Sequence, residues 1–172
     1  MKTFICQICG DAYIGDEKPK NCPFCGAREN FIKNGKEADP IPAKVFELSE
    51  ASKMNLEETL KLELHANAIY LCMASKARTY EIKAMYKRLA KVELEHANIA
   101  CKLMKISLPA VNPELCSNID VENFAETIKL EENASALYVK FAQEATEQEI
   151  KILFTALTQI EADHIELIKN YL

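Results

Sequence analysis

Hydrophobic and polar positions follow two different rhythms along this chain. In residues 1–35, short extended stretches such as KTFIC and NFIKN flank turns, and all four glycines of the chain fall there. Residues 36–52, KEADPIPAKVFELSEAS, read as a linker, because Asp-Pro and Ile-Pro disfavour helix. From about Asn55 the pattern becomes helical, with no glycine and few β-branched clusters. Asn55 followed by Glu58 has the form of a capping box, and Thr146 with Glu149 repeats it. Pro109 and Pro113 interrupt the pattern in ISLPAVNPELCSN. The pattern predicts helices over 55–78, 80–106, 120–145 and 147–171: two hairpins joined by a longer crossover.

That connectivity is the topology of a ferritin-like four-helix bundle, so the fold class is mainly α with a small N-terminal β module. The domain reading is 1–35, a four-cysteine module; 36–52, a linker; and 53–172, the bundle. A first segment this small has too little core to fold alone and needs a metal. Its ligands are evident: CQICG and CPFCG place Cys6, Cys9, Cys22 and Cys25 as two knuckles. The twelve residues between the knuckles are near zinc-ribbon spacing and taken alone lean to zinc.

The bundle contains an internal echo. LELHANAIY at 62–70 aligns with LEENASALY at 130–138, and ELEHANIA at 93–100 with EADHIELI at 161–168, both at an offset of 68. Each half thus carries a Glu (Glu63, Glu131), a Tyr seven residues later (Tyr70, Tyr138) and a Glu-x-x-His (Glu93/His96, Glu161/His164). Glu-x-x-His sets both side chains on one helical face, one turn apart. Residues equidistant from a hairpin turn lie at one height, so four Glu and two His should meet mid-bundle. Four buried carboxylates without counter-charge would protonate, whereas two divalent cations balance them. The mixed carboxylate–imidazole set suits Fe or Mn. Beside a redox-capable di-iron site, iron becomes the better reading for the four cysteines, because that chemistry requires an electron donor. We assign Glu93 and Glu161 as bridging ligands, with Glu63 and His96 ending on one ion and Glu131 and His164 on the other. The tyrosines share the ligand face and are placed to hydrogen-bond a ligating carboxylate.

Composition narrows the class further. Of 172 residues, 49% are hydrophobic and 27% charged, with a formal net charge of −5 and no basic stripe of the kind nucleic acid requires. No apolar run approaches the roughly 20 residues of a membrane span, and no signal peptide is evident. Seven cysteines, four of them in knuckles, do not read as a disulfide framework and point to a reducing cytoplasm. Cys72 and Cys101 read as small buried hydrophobes, and Cys116, in the crossover, as an exposed, oxidisable thiol. His65 lies about 200° around the helix from Glu63 and reads as surface or interface.

With both motif sets in view, the chain resembles the rubrerythrins, with the rubredoxin-like module first, as in the reverse type. CQICGDAYIGDEKPKNCPFCGARENF carries Tyr13, Gly15, Pro19 and Phe31 beside the cysteines in familiar places, and residues 53–172 resemble the di-iron domain. The resemblance implies iron at the four cysteines and two iron ions in the Glu/His set, with Zn and Mn as the competing metals. It implies a peroxidase that reduces hydrogen peroxide to water in oxidative-stress defence. Electrons would come from an external, NAD(P)H-linked reductase, and the assembly would be a homodimer. In one respect the chain departs from the family. An additional Glu three residues after the third-helix ligand is usual, and here that position is Ala134, matched by Ala66 in the first half. The plain ligand set keeps a ferroxidase or dioxygen-reducing protein in view, and zinc in the knuckles would make the module a structural ribbon.

Overall fold

The computed structural model describes all 172 residues. Three strands, β1 (Lys2–Cys6), β2 (Ala12–Gly15) and β3 (Ile32–Asn34), form an antiparallel sheet in the order β2-β1-β3. Four helices follow: α1 (Glu50–Lys76), α2 (Tyr80–Met104), α3 (Asp120–Glu144) and α4 (Gln148–Lys169). This is the ferritin-like bundle with a small rubredoxin-like sheet module ahead of it. No helix is long and apolar enough to cross a membrane.

The helix starts differ from the expected ones. α1 begins a turn and a half early, capped by Ser49, whose hydroxyl accepts from the Ser52 amide. Asn55 is therefore interior and buried, and its amide donates to Glu144 at 3.0 Å. Likewise α4 is preceded by Glu147 rather than capped by Thr146. Glu147 takes hydrogen bonds from the Ser49 amide and, at 2.7 Å, from the Ser52 hydroxyl. Burial pushes this carboxyl up, but the donors outweigh it and hold it down at about 2. The acid that organises the start of α1 thus sits on the α3–α4 turn, out of reach of any local capping pattern.

Two apolar cores divide the bundle. One joins Leu56, Leu60, Val92, Ala97, Tyr138, Phe141, Phe154 and Ile160 to Phe4, Ile8, Ala27 and Ile41 of the N-terminal segments. The other gathers Ile69, Tyr70, Met73, Tyr86, Leu89, Phe124 and Ile168 at the opposite end. Every helix passes from one core to the other where its Glu ligand stands. The polar centre is thereby sealed from both ends by packed side chains, which excludes water and strengthens any charge interaction inside.

Residues 36–52 are more than a tether. Ile41 is buried in the first core, and its amide donates to the Gln7 carbonyl at 2.8 Å. Lys44 reaches both Asp39, at 3.1 Å, and Glu149, at 3.4 Å. The four-cysteine module is thus fastened along the bundle. Arg28 grips Asp163 of α4 with two hydrogen bonds, at 2.6 and 3.0 Å, and Arg88 of α2 donates to the carbonyls of Pro23 and Phe24.

Gly26 closes the second knuckle in the left-handed region, at φ +81°, and a Cβ built there would lie 3.1 Å from Ile160 Cγ2. Replacing Gly26 with alanine should therefore cost about 1–2 kcal/mol, or roughly 3–6 °C in Tm. A thermal melt of the metal-loaded protein checks this; an unchanged Tm would mean the module is not held where Gly26 meets α4.

Cysteine pairing departs from the expected pattern. Cys72 on α1 and Cys116 in the crossover are joined by a disulfide across 44 residues, with Cα atoms 6.0 Å apart, so neither is a free thiol. Cys101 is free and buried, as expected of a small hydrophobe. The bond pins the long crossover to α1 and closes a loop whose freedom would otherwise favour the unfolded chain.

Candidate metal centres

Each Cys-x-x-Cys-Gly segment folds as a tight turn. The Gly10 amide donates to the Cys6 carbonyl at 2.9 Å, and the Gly26 amide to the Cys22 carbonyl at 3.0 Å. The turns face each other and bring Cys6, Cys9, Cys22 and Cys25 into one buried group. Sγ–Sγ separations are 3.6 Å for Cys6–Cys25 and 3.7 Å for Cys9–Cys22. A tetrahedron with metal–sulfur arms of about 2.3 Å has edges of about 3.8 Å, so the thiols fit one four-coordinate ion. The Asp11 amide lies 3.5 Å from Cys9 Sγ, a contact of the kind that eases negative charge on sulfur.

The second centre is assembled from all four helices. Glu63, Glu93, His96 and Glu161 form one cluster of donors, and Glu93, Glu131, Glu161 and His164 another. Glu93 and Glu161 belong to both, which is the arrangement expected of bridging carboxylates. All six side chains are buried. His96 Nδ1 stands 3.0 Å from Glu93, 3.4 Å from Glu63 and 3.6 Å from Glu161. Equivalent distances from His164 Nδ1 are 3.3 Å to Glu93, 3.4 Å to Glu131 and 3.0 Å to Glu161. The sequence-derived ligands thus all converge, and His65 stays outside, paired with Glu114 at the surface.

Whether this site fits metal can be tested on its polar atoms. Both oxygens of Glu93, both oxygens of Glu161, and Nδ1 of each histidine are buried without a hydrogen bond. Six orphaned donor atoms facing one point would be costly unless a cation satisfied them. Their titration tells the same story. Desolvation, helped by the neighbouring carboxylates and opposed by the histidines, raises Glu93 to about 7 and lifts Glu161 well above the carboxylate range. Burial opposes charge on the histidines, yet the carboxylates around them, led by Glu63 for His96 and Glu93 for His164, drive both well upward. Protons are drawn into the cluster because it is short of positive charge. The donor set fits a di-iron centre, and the four thiols fit a rubredoxin-type iron.

The tyrosines act across the bundle rather than along their own helices. Tyr70, on α1, donates to Glu131 of α3 at 2.6 Å, and Tyr138, on α3, donates to Glu63 of α1. The sequence placed each phenol at ligand height; the exchange of partners needed the packing of α1 against α3. Each phenol fixes the orientation of one terminal carboxylate. Tyr138→Phe should weaken metal binding at the Glu63/His96 position about ten- to a hundred-fold, and Tyr70→Phe at the Glu131/His164 position. Metal competition titrations of the two variants check the exchange; loss at the same position in both would refute it.

One contact escaped the sequence entirely. His96 Nε2 lies 2.9 Å from the carbonyl oxygen of Cys25, so it donates there and leaves Nδ1 as the ring atom that faces the carboxylates and would ligate a metal. A ligand of one centre is thereby hydrogen-bonded to the backbone of a ligand of the other. His164 is the most exposed of the six, at 7%, and it borders a cleft of about 650 Å³ between the module and α4, beside Arg28 and Asp163.

Comparison with known proteins agrees with this geometry. The family model described as "Rubrerythrin, rubredoxin-like domain" matches residues 4–32, and the model "Rubrerythrin" matches residues 54–119, covering most of the first hairpin and the crossover. A relative from Clostridium acetobutylicum, Reverse rubrerythrin-1, is 29% identical over 135 residues, covering 73% of this chain and 75% of its own. A four-thiol site thus stands ahead of a four-carboxylate, two-imidazole site, and the chain carries the two domain types of the rubrerythrins with the rubredoxin-like one leading, an order consistent with the reverse type.

Proposed function

We propose that this protein is an oxidoreductase that reduces hydrogen peroxide to water at the Glu/His centre, with electrons entering through the four-cysteine centre. The observation that carries this reading is the hydrogen bond from His96 to the Cys25 carbonyl. It supports a short bonded route from a one-electron site to a two-electron site within one chain. Iron bound at the Glu/His centre would supply two electrons to split the peroxide O–O bond, and iron at the cysteines would replace them singly. The protein's part is positional. Glu93 and Glu161 span the two metal positions, Tyr70 and Tyr138 hold the outer carboxylates, and the two apolar cores keep water out. The cleft at His164 suits entry of a small neutral oxidant. Under this reading Glu63, Glu93, His96, Glu131, Glu161 and His164 form the catalytic centre, and the tyrosines position it.

An external, NAD(P)H-linked reductase remains part of the proposal, as does a cytoplasmic setting in which the four knuckle thiols stay reduced. The Cys72–Cys116 disulfide would then be a bond that follows the redox state of the cell. A homodimer is also proposed, although Cys25 reaches His96 without a second subunit.

A second reading, ferroxidase or dioxygen reduction, is favoured by one observation. Neither cluster of donors includes a fifth carboxylate, consistent with alanine at positions 66 and 134. Anaerobic stopped-flow separates the two. Fully reduced, iron-loaded protein is mixed with hydrogen peroxide or with dioxygen, and the ferric–thiolate absorbance is followed. Faster return of that absorbance with peroxide is the expected result. Faster return with dioxygen supports the second reading, and zinc in the knuckles makes the module a structural ribbon.

A further inference from the structure

Over residues 82–92, α2 carries Lys83, Lys87, Arg88 and Lys91 and no acid, in a chain whose net charge is −5. Positions 83, 87 and 91 repeat every four residues and share one face. All four side chains are exposed, and none of them forms an ion pair within the chain. With Tyr80, which is 85% exposed, they line a shallow groove of about 230 Å³. Arg88 ties this face to the second cysteine knuckle, donating to the carbonyls of Pro23 and Phe24. Phe24 itself, between ligands Cys22 and Cys25, is 38% exposed. A partly exposed aromatic residue of the metal-bearing turn is therefore tied through Arg88 to a strip of unpaired cations.

We propose that this face is the docking site of the electron donor, and that the donor is a small redox protein presenting an acidic surface around its own centre. The inference rests on the proposed electron relay and names its point of entry. Four thiolates around one iron carry net negative charge in either oxidation state, and the whole chain is acidic. An acidic donor is repelled from most of this surface. The lysine strip reverses that repulsion at the place where Phe24 leads to Cys22 and Cys25. Complementary charge of this kind raises encounter rates and fixes orientation, while a small apolar contact at the centre lets the partner leave again. One electron passes from the donor's reduced centre to the ferric ion at each encounter.

The test uses the full-length protein and a plant-type two-iron ferredoxin as the acidic probe. Zinc-loaded protein, which cannot accept an electron, reports docking alone through the anisotropy of labelled ferredoxin. Binding should weaken ten-fold or more as ionic strength rises from about 0.02 M to about 0.5 M, where the Debye length falls to a few ångströms. The triple variant K83E/K87E/K91E should lose binding at low salt. A charge-matched control, K61E/K129E/K151E, should keep most of it. With iron-loaded protein, the same triple should accept electrons from reduced ferredoxin at least ten-fold more slowly, with its visible spectrum and midpoint potential unchanged. Equal loss in both triples would overturn the proposal, because net charge alone would then explain it. So would a potential shift in K83E/K87E/K91E large enough to account for the slower rate, which would make the lysines a tuning device. Ferredoxin binding untouched by the triple, together with salt-sensitive binding of duplex DNA or phosphatidylserine vesicles that the triple loses, would assign the strip to a polyanion. If docking holds but dithionite cannot reduce the iron centre, the relay fails while the interface stands as a protein contact of another kind.

Discussion

Glu93→Ala is expected to strip both metal positions of the Glu/His centre at once, whereas His164→Ala should empty only one. The difference follows from geometry, since Glu93 lies in both donor clusters and His164 in one. Under the proposed activity, peroxide turnover in Glu93→Ala should fall on the order of a thousand-fold, the scale set by losing a group needed to hold transition-state charge. Metal analysis after iron loading and gel filtration provides the count. About two iron ions should be missing per chain in Glu93→Ala, with the four-cysteine iron retained and its ferric absorbance intact. Retention of one Glu/His iron would show that Glu93 serves a single ion and that the bridging assignment is wrong. The variant should fold. Removing one of four crowded carboxylates relieves repulsion in the metal-free state, so its metal-free Tm should equal or exceed that of the unaltered chain.

The metal-free protein should become less stable as pH rises, while the metal-loaded protein does not. Glu93, raised from 4.5 to about 7 by desolvation, takes up its proton more readily when folded than when unfolded. Its contribution is fully present below the unfolded value near 4.5 and is lost as pH climbs through about 7, a change of roughly 3 kcal/mol. Glu161 acts in the same direction. His96 and His164, also raised, stabilise fully below 6.5 and lose that contribution as pH passes their folded values. All four groups therefore weaken the metal-free fold as pH rises, Glu93 doing so up to about 7. Metal ligands must be deprotonated, so binding strengthens over the same window. Melts of chelated and iron-loaded protein at pH 6, 7, 8 and 9 should diverge steadily. A metal-free Tm that is flat or rises with pH would mean the carboxylates are not crowded as described.

Much of the site was legible because it is written twice. The repeated Glu, Tyr and Glu-x-x-His at a constant offset singled out the six side chains that converge in mid-bundle, and helical geometry placed them at one height. The cysteine knuckles were plain for a similar reason, since each is a local turn whose ligands are four residues or fewer apart. Contacts between distant segments left no comparable mark. Cys72 and Cys116 have no spacing that announces a bond, and only the packing of the crossover on α1 brings them together. Glu147 stabilises the start of a helix nearly a hundred residues earlier in the chain, so the capping patterns at Asn55 and Thr146 were misleading. The exchange of tyrosine partners between α1 and α3 also depends on which helices face each other.

By itself, then, the sequence determined the donors of both centres, the four helices and the order of the two modules, because period and spacing act over a few turns of chain. Tertiary structure alone decided that the module lies against its own bundle, with Gly26 on Ile160, Arg28 on Asp163 and Cys25 bonded to His96. The 15 residues between β3 and α1, 35–49, leave many placements within reach, and only the fit of side chains across two surfaces selects among them. The link between the two metal centres comes from that fit.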